Sequence, residues 1–322
     1  MEKILSEMKD TPSPTISTSD LRRFLPPCEA EEPPRGRATQ GDDNEAGRQK
    51  DRKGGVLIAG EGVYEREIDE VLKIAKDAGA LALRFFEQSV PEELKEDLSP
   101  VTRADREGEK LIARRLREAF PDDGIYGEEG ARAPAKSGRR WLIDPIDGTK
   151  DFLRGNPHWA VQIALEIDGH VAAGVIHCPC LDETLHAVDG AGCFWNGSKT
   201  GASSVARLEK AILTVSGFNA AWKSWPEDAV RRLTEKCWTV RCYGGAYNVI
   251  MLARGKTDIW LSGCGMEWDY APAQVIARQI GARFMTRDGG ERIDEKHCVV
   301  CAPGLIGEIR KILLLETETV LG

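Results

Sequence analysis

The stretch WLIDPIDGTKDF, Trp141–Phe152, runs from apolar residues straight into two aspartates, Asp144 and Asp147, with Pro145 between them and Gly148-Thr149 behind them. A carboxylate at the end of a buried strand is costly unless something binds it. Other acidic positions stand out beside this pair: Asp105 in SPVTRAD, Glu128 and Glu129 in GEEG, and Asp269 in EWDYAPAQ. Brought together by the fold, they would form an oxygen-only site without His or Cys, a donor set suited to Mg²⁺ or Mn²⁺ rather than zinc. In a strand-to-turn bend, the three-residue step from Asp144 to Asp147 can turn both carboxylates the same way and aim the Ile146 carbonyl at the same centre. Gly148 lets the backbone approach an anion, and free amides at a helix start bind phosphate. The Thr149 hydroxyl both accepts and donates, so it can orient or deprotonate a water activated by several cations. Carboxylates beside a phosphate cradle imply hydrolysis of a phosphate ester by in-line attack of water, with no covalent phosphoenzyme.

Taken singly, most of these residues have a plainer role. A GEE triplet is usually a solvated loop, and an Asp before a helix is usually a cap. Two carboxylates and a proline around a strand end serve packing poorly, so DPIDGT is the segment that carries the functional reading.

The elements that must position these residues follow from periodicity. From Tyr64, Ile68, Val71, Leu72, Ile74 and Ala75 recur at helical spacing, continuing through Ala78, Leu81 and Leu83. A second helix starts after SPVT, with Thr102 as cap and Asp105 three positions on. PDDGIYGEEG reads as a loop, followed by a linker and a strand opening at Trp141. Two strand-like runs then meet at Asp168-Gly169, a hairpin signal, and a meander with Asp-Gly and Asn-Gly turns continues to Gly197. The last third alternates: a strand in AILTVSG, a helix in PEDAVRRLTEKC, a strand in WTVRCYG and a helix in GAYNVIMLARG. A strand in TDIWLSG, a helix from Trp268 to about Ile280 and a strand in HCVVCAP complete it. Alternation behind a meander implies layered sheets and helices, not a barrel.

Composition narrows the function classes. The 322 residues are 41% hydrophobic and 30% charged with a formal net charge of -8, so no basic footprint suggests nucleic-acid binding. No apolar run is long enough to span a bilayer, and MEKILSEMKDTPSP does not read as a secretory signal. Nine cysteines, an odd number spread thinly, do not form a disulfide framework and suggest a reduced, cytoplasmic protein. Residues 1–60 differ from the rest. They hold six of the 16 prolines and one aromatic residue, Phe24. This composition reads as a disordered extension, or as upstream sequence joined by a misplaced start codon. Residues 61–322 read as the catalytic domain, with a metal-binding half to about 200 and a substrate-facing half, 201–322.

Other residues invite chemistry. Cys298 and Cys301 form Cys-x-x-Cys, and His177, Cys178 and Cys180 cluster, but both groups lie in strand-like apolar runs where core packing is the better reading. His158 and Trp159 read as packing and hydrogen-bonding residues. Trp222 and Trp225 rim a pocket or pack while partly exposed.

The haloacid-dehalogenase-like phosphatases carry Asp-x-Asp-Gly-Thr near the N-terminus, the first Asp being the nucleophile. Here the spacing is one residue longer, and some 80 structured-looking residues precede it. In GEEG, WLIDPIDGT, EWDYAPAQ and SPVTRAD, by order and spacing, the chain instead resembles the inositol monophosphatase family from about Tyr64 onward. The resemblance implies a five-layer αβαβα sandwich, an α/β layered fold, with lithium sensitivity, a homodimer and two to three Mg²⁺ ions, Mn²⁺ being a substitute. By position, Glu128, Asp144, the Ile146 carbonyl, Asp147 and Asp269 would bind metal. Asp105 would work with Thr149 on the water, the Gly148 and Thr149 amides would hold phosphate, and Glu129 would support the site. Lys95 resembles the family's basic residue near the site. Gly244, Gly245 and Ala246 in VRCYGGAYN would face the alcohol, with Ser262 and Asp269 as further substrate-binding positions. Ser262 stands where inositol-specific members place a Glu, seven residues before the helix-opening Asp. DGTKDF and WTVRCYGG are more like the histidinol-phosphatase branch, and DGTKDF also resembles the nucleotide-phosphatase branch. The expected substrate is a small phosphate monoester, histidinol phosphate ahead of inositol monophosphate. The alternatives are a 3'-phosphoadenosine 5'-phosphate or sugar bisphosphate, and, from another class, a catalytically silent metal-binding relative.

Overall fold

The computed structural model describes residues 64–88, 93–94 and 100–313. The chain divides between Val56 and Leu57, and every described residue belongs to the second unit. The extension expected over residues 1–60 and Lys95 lie outside the described residues.

The unit opens with α1 (Glu65–Phe86), a short ladder of β1 (Glu93–Leu94) and β2 (Pro100–Val101), and α2 (Arg103–Ala119). Next come β3 (Gly124–Gly127), β4 (Arg132–Ala133), β5 (Arg139–Asp147) and the single turn α3 (Thr149–Leu153). A meander follows: β6 (Ala160–Ile167), β7 (His170–Cys178), β8 (Glu183–Val188), β9 (Gly192–Trp195) and β10 (Ser198–Lys199). The remainder alternates through β11 (Ile212–Val215), α4 (Phe218–Ser224), α5 (Glu227–Lys236), β12 (Thr239–Arg241), α6 (Tyr247–Ala253) and β13 (Ile259–Ser262). It closes with α7 (Glu267–Gln279), β14 (Arg283–Met285), β15 (Cys298–Cys301) and α8 (Ile306–Leu313).

Two larger sheets result. An eight-stranded sheet runs β10-β9-β8-β7-β6-β5-β3-β4, and a five-stranded sheet runs β12-β11-β13-β15-β14. At the Asp168-Gly169 hairpin both residues have positive φ, 49° and 83°, as a two-residue turn of this hand requires. Asn196 and Gly197 do the same, with φ of 46° and 80°, between β9 and β10.

The apolar clusters sort the elements into layers. Val71, Ile74 and Ala78 of α1 and Ile112 and Leu116 of α2 bury against Trp141, Ile143, Val161 and Ile163, one face of the large sheet. The opposite face, with Leu142, Ala164 and Ile176, packs on α6 and α7, which also meet Trp260, Phe284, Cys298 and Val300 of the small sheet. The far face of the small sheet, with Leu213, Leu261, Val299 and Cys301, is covered by α4, α5 and α8. The order is therefore helices, sheet, helices, sheet, helices, the expected five-layer αβαβα sandwich.

Two expectations are corrected, and three elements are added. PDDGIYGEEG is not all loop: Gly124–Gly127 is a strand that pairs in parallel with β5, Ile125 opposite Trp141. The helices Phe218–Ser224 and Ile306–Leu313, and the strand Arg283–Met285, were not separated from their surroundings by periodicity. Trp225 rims nothing; it is 2% exposed and its indole N–H donates to the Ser262 carbonyl at 2.9 Å, whereas Trp222 is 53% exposed.

Candidate metal and phosphate site

Alternation along β5 places its first carboxylate. Trp141 and Ile143 point to the α1/α2 layer and Leu142 to the α6/α7 layer, so Asp144 falls on the α7 side. Strict alternation would put Asp147 on the opposite face. The ladder slips here, however: Asp144 pairs with Gln162 and Asp147 with Ala160, three steps on β5 against two on β6. The extra residue, at the proline-containing bend, returns Asp147 to the face of Asp144. The Ile146 amide donates to Asp144 Oδ1 at 2.9 Å, fixing the bend. Gly148 follows at φ 91°, a left-handed conformation that suits glycine, and α3 begins.

The third carboxylate comes from α7, which lies across the same face of the sheet. The helix packs tightly at Gly174, where a Cβ would sit 2.8 Å from the Pro272 Cα. Asp269, in the first turn, accepts the Met266 amide at 2.7 Å. Asp144, Asp147 and Asp269 each bring a carboxylate oxygen within 4.8 Å of the others.

Asp105 approaches from α2. Its Oδ2 accepts the Thr102 amide at 2.7 Å and the Thr102 hydroxyl at 2.6 Å, completing the expected capping box. Its other oxygen lies 3.4 Å from Thr149 Oγ1, which is also 3.3 Å from the Ile146 carbonyl. Capping and site roles thus fall on different oxygens of one carboxylate. Glu128 sits on the turn after β3, where its amide donates to the Ile143 carbonyl at 3.0 Å. Its charge acts on Asp105, Asp144, Asp147 and Asp269 alike. Glu129 follows it on the same turn.

Electrostatics expose the strain of this assembly. Burial, and then the charges of Glu128, Asp269 and Asp147, raise Asp144 well above the usual carboxylate range. Asp147 is pushed up to about 6 by burial and the Glu128 and Asp151 charges, against a lowering hydrogen bond from Ala246. Asp269 is pushed up to about 8 by burial, Asp147 and Glu128. Carboxylates this close to one another, Asp144 buried and Asp147 and Asp269 half-buried, need protons or a cation. The donor set is entirely oxygen, so the residues present fit a hard divalent ion.

The YGGA segment lies directly on Asp147. The Ala246 amide donates to the Asp147 carboxylate. A side chain at Gly245 would overlap that carboxylate, and one at Gly244 would meet Asp151 Oδ2 at 2.9 Å. Buried Asn248 holds the turn, its amide reaching the carbonyls of Tyr243, Gly244 and Gly245 at 3.3, 3.3 and 3.0 Å. Ser262 is not brought to this surface, and Glu128 lies outside the three-aspartate cluster. Ser262 is 3% exposed in β13, and its hydroxyl bonds to Tyr270 Oη at 3.0 Å.

Sequence reading missed two buried polar residues that hold site loops. Asn248 lies on the buried side of α6. Glu109, 3% exposed, stands one helical turn after Asp105, and its carboxylate accepts the amides of Glu129 at 2.7 Å and Ala131 at 2.6 Å. A glutamate inside the apolar stripe of Ala104, Ile112 and Leu116 was the available signal. The cysteine groups behave as packing. Cys298 and Cys301 enter the clusters on opposite faces of the small sheet, and His177 Nδ1 bonds Thr184 Oγ1 at 2.9 Å. Trp159 is buried between Phe86 and Phe152, and His158 stacks on Tyr247 at 4.7 Å.

Comparisons with known proteins identify the family and the fold. The profile of the inositol monophosphatase family matches residues 65–315. A histidinol-phosphatase of Chlorobaculum parvum is 34% identical over 242 residues, covering 75% of this chain and 93% of its own length. A histidinol-phosphatase of Mycobacterium tuberculosis is 37% identical over 222 residues, covering 66% and 80%. Among solved structures, the extragenic suppressor protein suhB of Bartonella henselae superimposes with a TM-score of 0.71 at 27% identity, covering 77% of this chain and 98% of that one. A Thermotoga maritima IMPase gives 0.70 at 28%, covering 77% and 96%. The chain belongs to the inositol monophosphatase family and is a phosphoric monoester hydrolase.

Proposed function

We propose that the protein is a Mg²⁺-dependent phosphatase of small phosphorylated alcohols, with histidinol phosphate as its preferred substrate and inositol monophosphate next. The carrying observation is the all-oxygen cluster of Asp144, Asp147 and Asp269 beside the Asp105–Thr149 pair. Two to three ions held by Glu128, Asp144, the Ile146 carbonyl, Asp147 and Asp269 would screen the phosphate and acidify the attacking water. The chain's own part is positional and proton-handling. Thr149 Oγ1 orients the water and passes its proton toward Asp105 Oδ1, while Thr102 keeps the other Asp105 oxygen occupied. The Gly148 and Thr149 amides face the phosphate, and the Gly244–Ala246 turn faces the alcohol. Glu129 helps hold the loop of Glu128.

Substrate choice rests on two supports. Two of the relatives above are named histidinol-phosphatase, and Ser262 supplies no carboxylate for ring hydroxyls. The free thiols at all eight cysteines of the described residues fit a reducing, cytoplasmic setting. Among the described residues no helix is long and apolar enough to cross a membrane. We take residues 61–322 as the catalytic unit, acting as a homodimer, with the cluster drawing Asp144 and Asp147 from its first half and Asp269 from its second.

The test is kcat/KM with Mg²⁺ on histidinol phosphate, inositol 1-phosphate, fructose 1,6-bisphosphate and 3'-phosphoadenosine 5'-phosphate. Histidinol phosphate should rank first. A higher value for inositol 1-phosphate or either bisphosphate would reassign the substrate, and full activity in EDTA would remove the metal.

A further inference from the structure

Helix α2 buries two carboxylates on one face, Asp105 and Glu109, one turn apart. Asp105 is accounted for by the Thr102 cap and Thr149. Glu109 touches neither, and it makes no ion pair among the described residues. Its two oxygens are divided between two backbone donors: Oε2 takes the Glu129 amide at 2.7 Å and Oε1 the Ala131 amide at 2.6 Å. These donors belong to the turn that carries Glu128. The same turn is closed by the Gly127 amide on the Ala131 carbonyl at 2.9 Å, and is anchored to β5 by Glu128 N on Ile143 O at 3.0 Å. Gly127 has no Cβ, and one placed there would overlap the Glu109 carboxylate.

A carboxylate with only packing to do would not be kept this deep, because removing a charge from water is expensive unless it is bonded. Here it is bonded twice, with charge-assisted geometry, to successive parts of a single loop. That loop is pinned on both flanks of Glu128, by Glu109 after it and by β5 at its own amide. The remaining freedom of residue 128 is its side chain, whose charge acts on Asp105, Asp144, Asp147 and Asp269.

We propose that Glu109 is a positioning residue which, through the Glu129 and Ala131 amides, fixes Glu128 as a ligand of the divalent-cation site. This rests on the reading of Glu128 as a metal ligand. Asp105 and Glu109 together make α2 a ruler. One turn sets the proton-handling pair and the next sets the Glu128 loop, so both sides of the site are referenced to one rigid helix.

The experiment is a double-mutant cycle read by Mn²⁺ binding, using electron paramagnetic resonance of free Mn²⁺ against the full chain. The variants are Glu109→Gln, Glu128→Gln and the pair. In Glu109→Gln one acceptor oxygen becomes an NH₂ facing an amide donor, so one loop bond is lost without loss of volume. The expected result is a Mn²⁺ affinity lowered about tenfold or more, and a double variant no weaker than Glu128→Gln alone. Mn²⁺ binding at the parent affinity in Glu109→Gln, or losses that multiply in the double variant, overturns the proposal. Parent-like binding by Glu128→Gln removes the ligand assignment beneath it, and the inference falls with it. If Glu109→Gln does not fold, Gly127→Ala decides by the same criteria, since it displaces the carboxylate without changing any charge. A purely structural role for Glu109 would lower the thermal midpoint and leave Mn²⁺ affinity per folded chain unchanged.

Discussion

Asp144 and Thr149 separate binding from chemistry at the level of single residues. Asp144→Asn keeps the shape and one acceptor of a fully buried side chain but removes the charge a cation requires. Turnover should fall by at least about 10³-fold, with unchanged far-UV circular dichroism and loss of Mg²⁺-induced thermal stabilisation. Near-parent activity would refute the metal assignment. Thr149→Ala removes the hydroxyl between Asp105 and the Ile146 carbonyl while leaving the carboxylates in place. Here kcat should fall about 10²- to 10³-fold while Mg²⁺ affinity stays within a fewfold; a KM effect alone would contradict the proton-handling role. The pair Asp144 and Asp147 was legible in the sequence because two carboxylates at a strand end make poor packing. The device that lets them face together, a slip in the β5–β6 ladder, was not. It depends on which residues of β6 they oppose, and local sequence does not encode that pairing.

Elements decide how precisely those residues meet. Helix α7 delivers Asp269 because Gly174 of β7 lets Pro272 settle against the sheet. Gly174→Ala places a Cβ against backbone, which cannot rotate away, so the helix must shift. Stability should drop by about 1–3 kcal/mol in urea unfolding, and Mn²⁺ affinity should fall with it through displacement of Asp269. An unchanged midpoint would show that the helix has slack. The helix itself was readable from its periodicity, as were α1, α2 and the meander with its Asp-Gly and Asn-Gly turns. The strand Gly124–Gly127 was not: with two glycines it has few side chains to alternate, and it forms because β5 offers a parallel edge. Glu109 and Asn248 stayed hidden for a related reason. A polar residue on a buried helical face looks like a patterning fault until the loop amides or carbonyls it satisfies are in place.

At the scale of the whole molecule, the carboxylate cluster couples stability to both pH and metal. In an unfolded chain each Asp titrates near 3.8, whereas folding raises Asp147 to about 6, Asp269 to about 8 and Asp144 well above the usual range. Between those values the folded state holds more protons than the unfolded one, so stability must fall as pH rises. Below pH 6.5 an opposing contribution partly offsets the trend. Burial lowers His177 to about 4, so there the unfolded state holds one extra proton, and the contribution of that group rises with pH. Above about pH 8 the buried thiols, such as Cys193 pushed up to about 12, add a further decline of their own. The interval from pH 6.5 to 8 therefore isolates the cluster. In EDTA, unfolding free energy should decrease across it, by at most about 1.4 kcal/mol per pH unit for each proton retained. A divalent ion displaces those protons, so the decline should vanish in saturating Mg²⁺, and the gap between the two melting curves should widen from pH 6.5 to 8. Differential scanning calorimetry at several pH values, with EDTA and with Mg²⁺, measures both curves. A metal-free midpoint that holds steady or climbs over this interval would mean that the cluster is not protonated as its burial demands. The repulsion that makes it a cation site would then be absent.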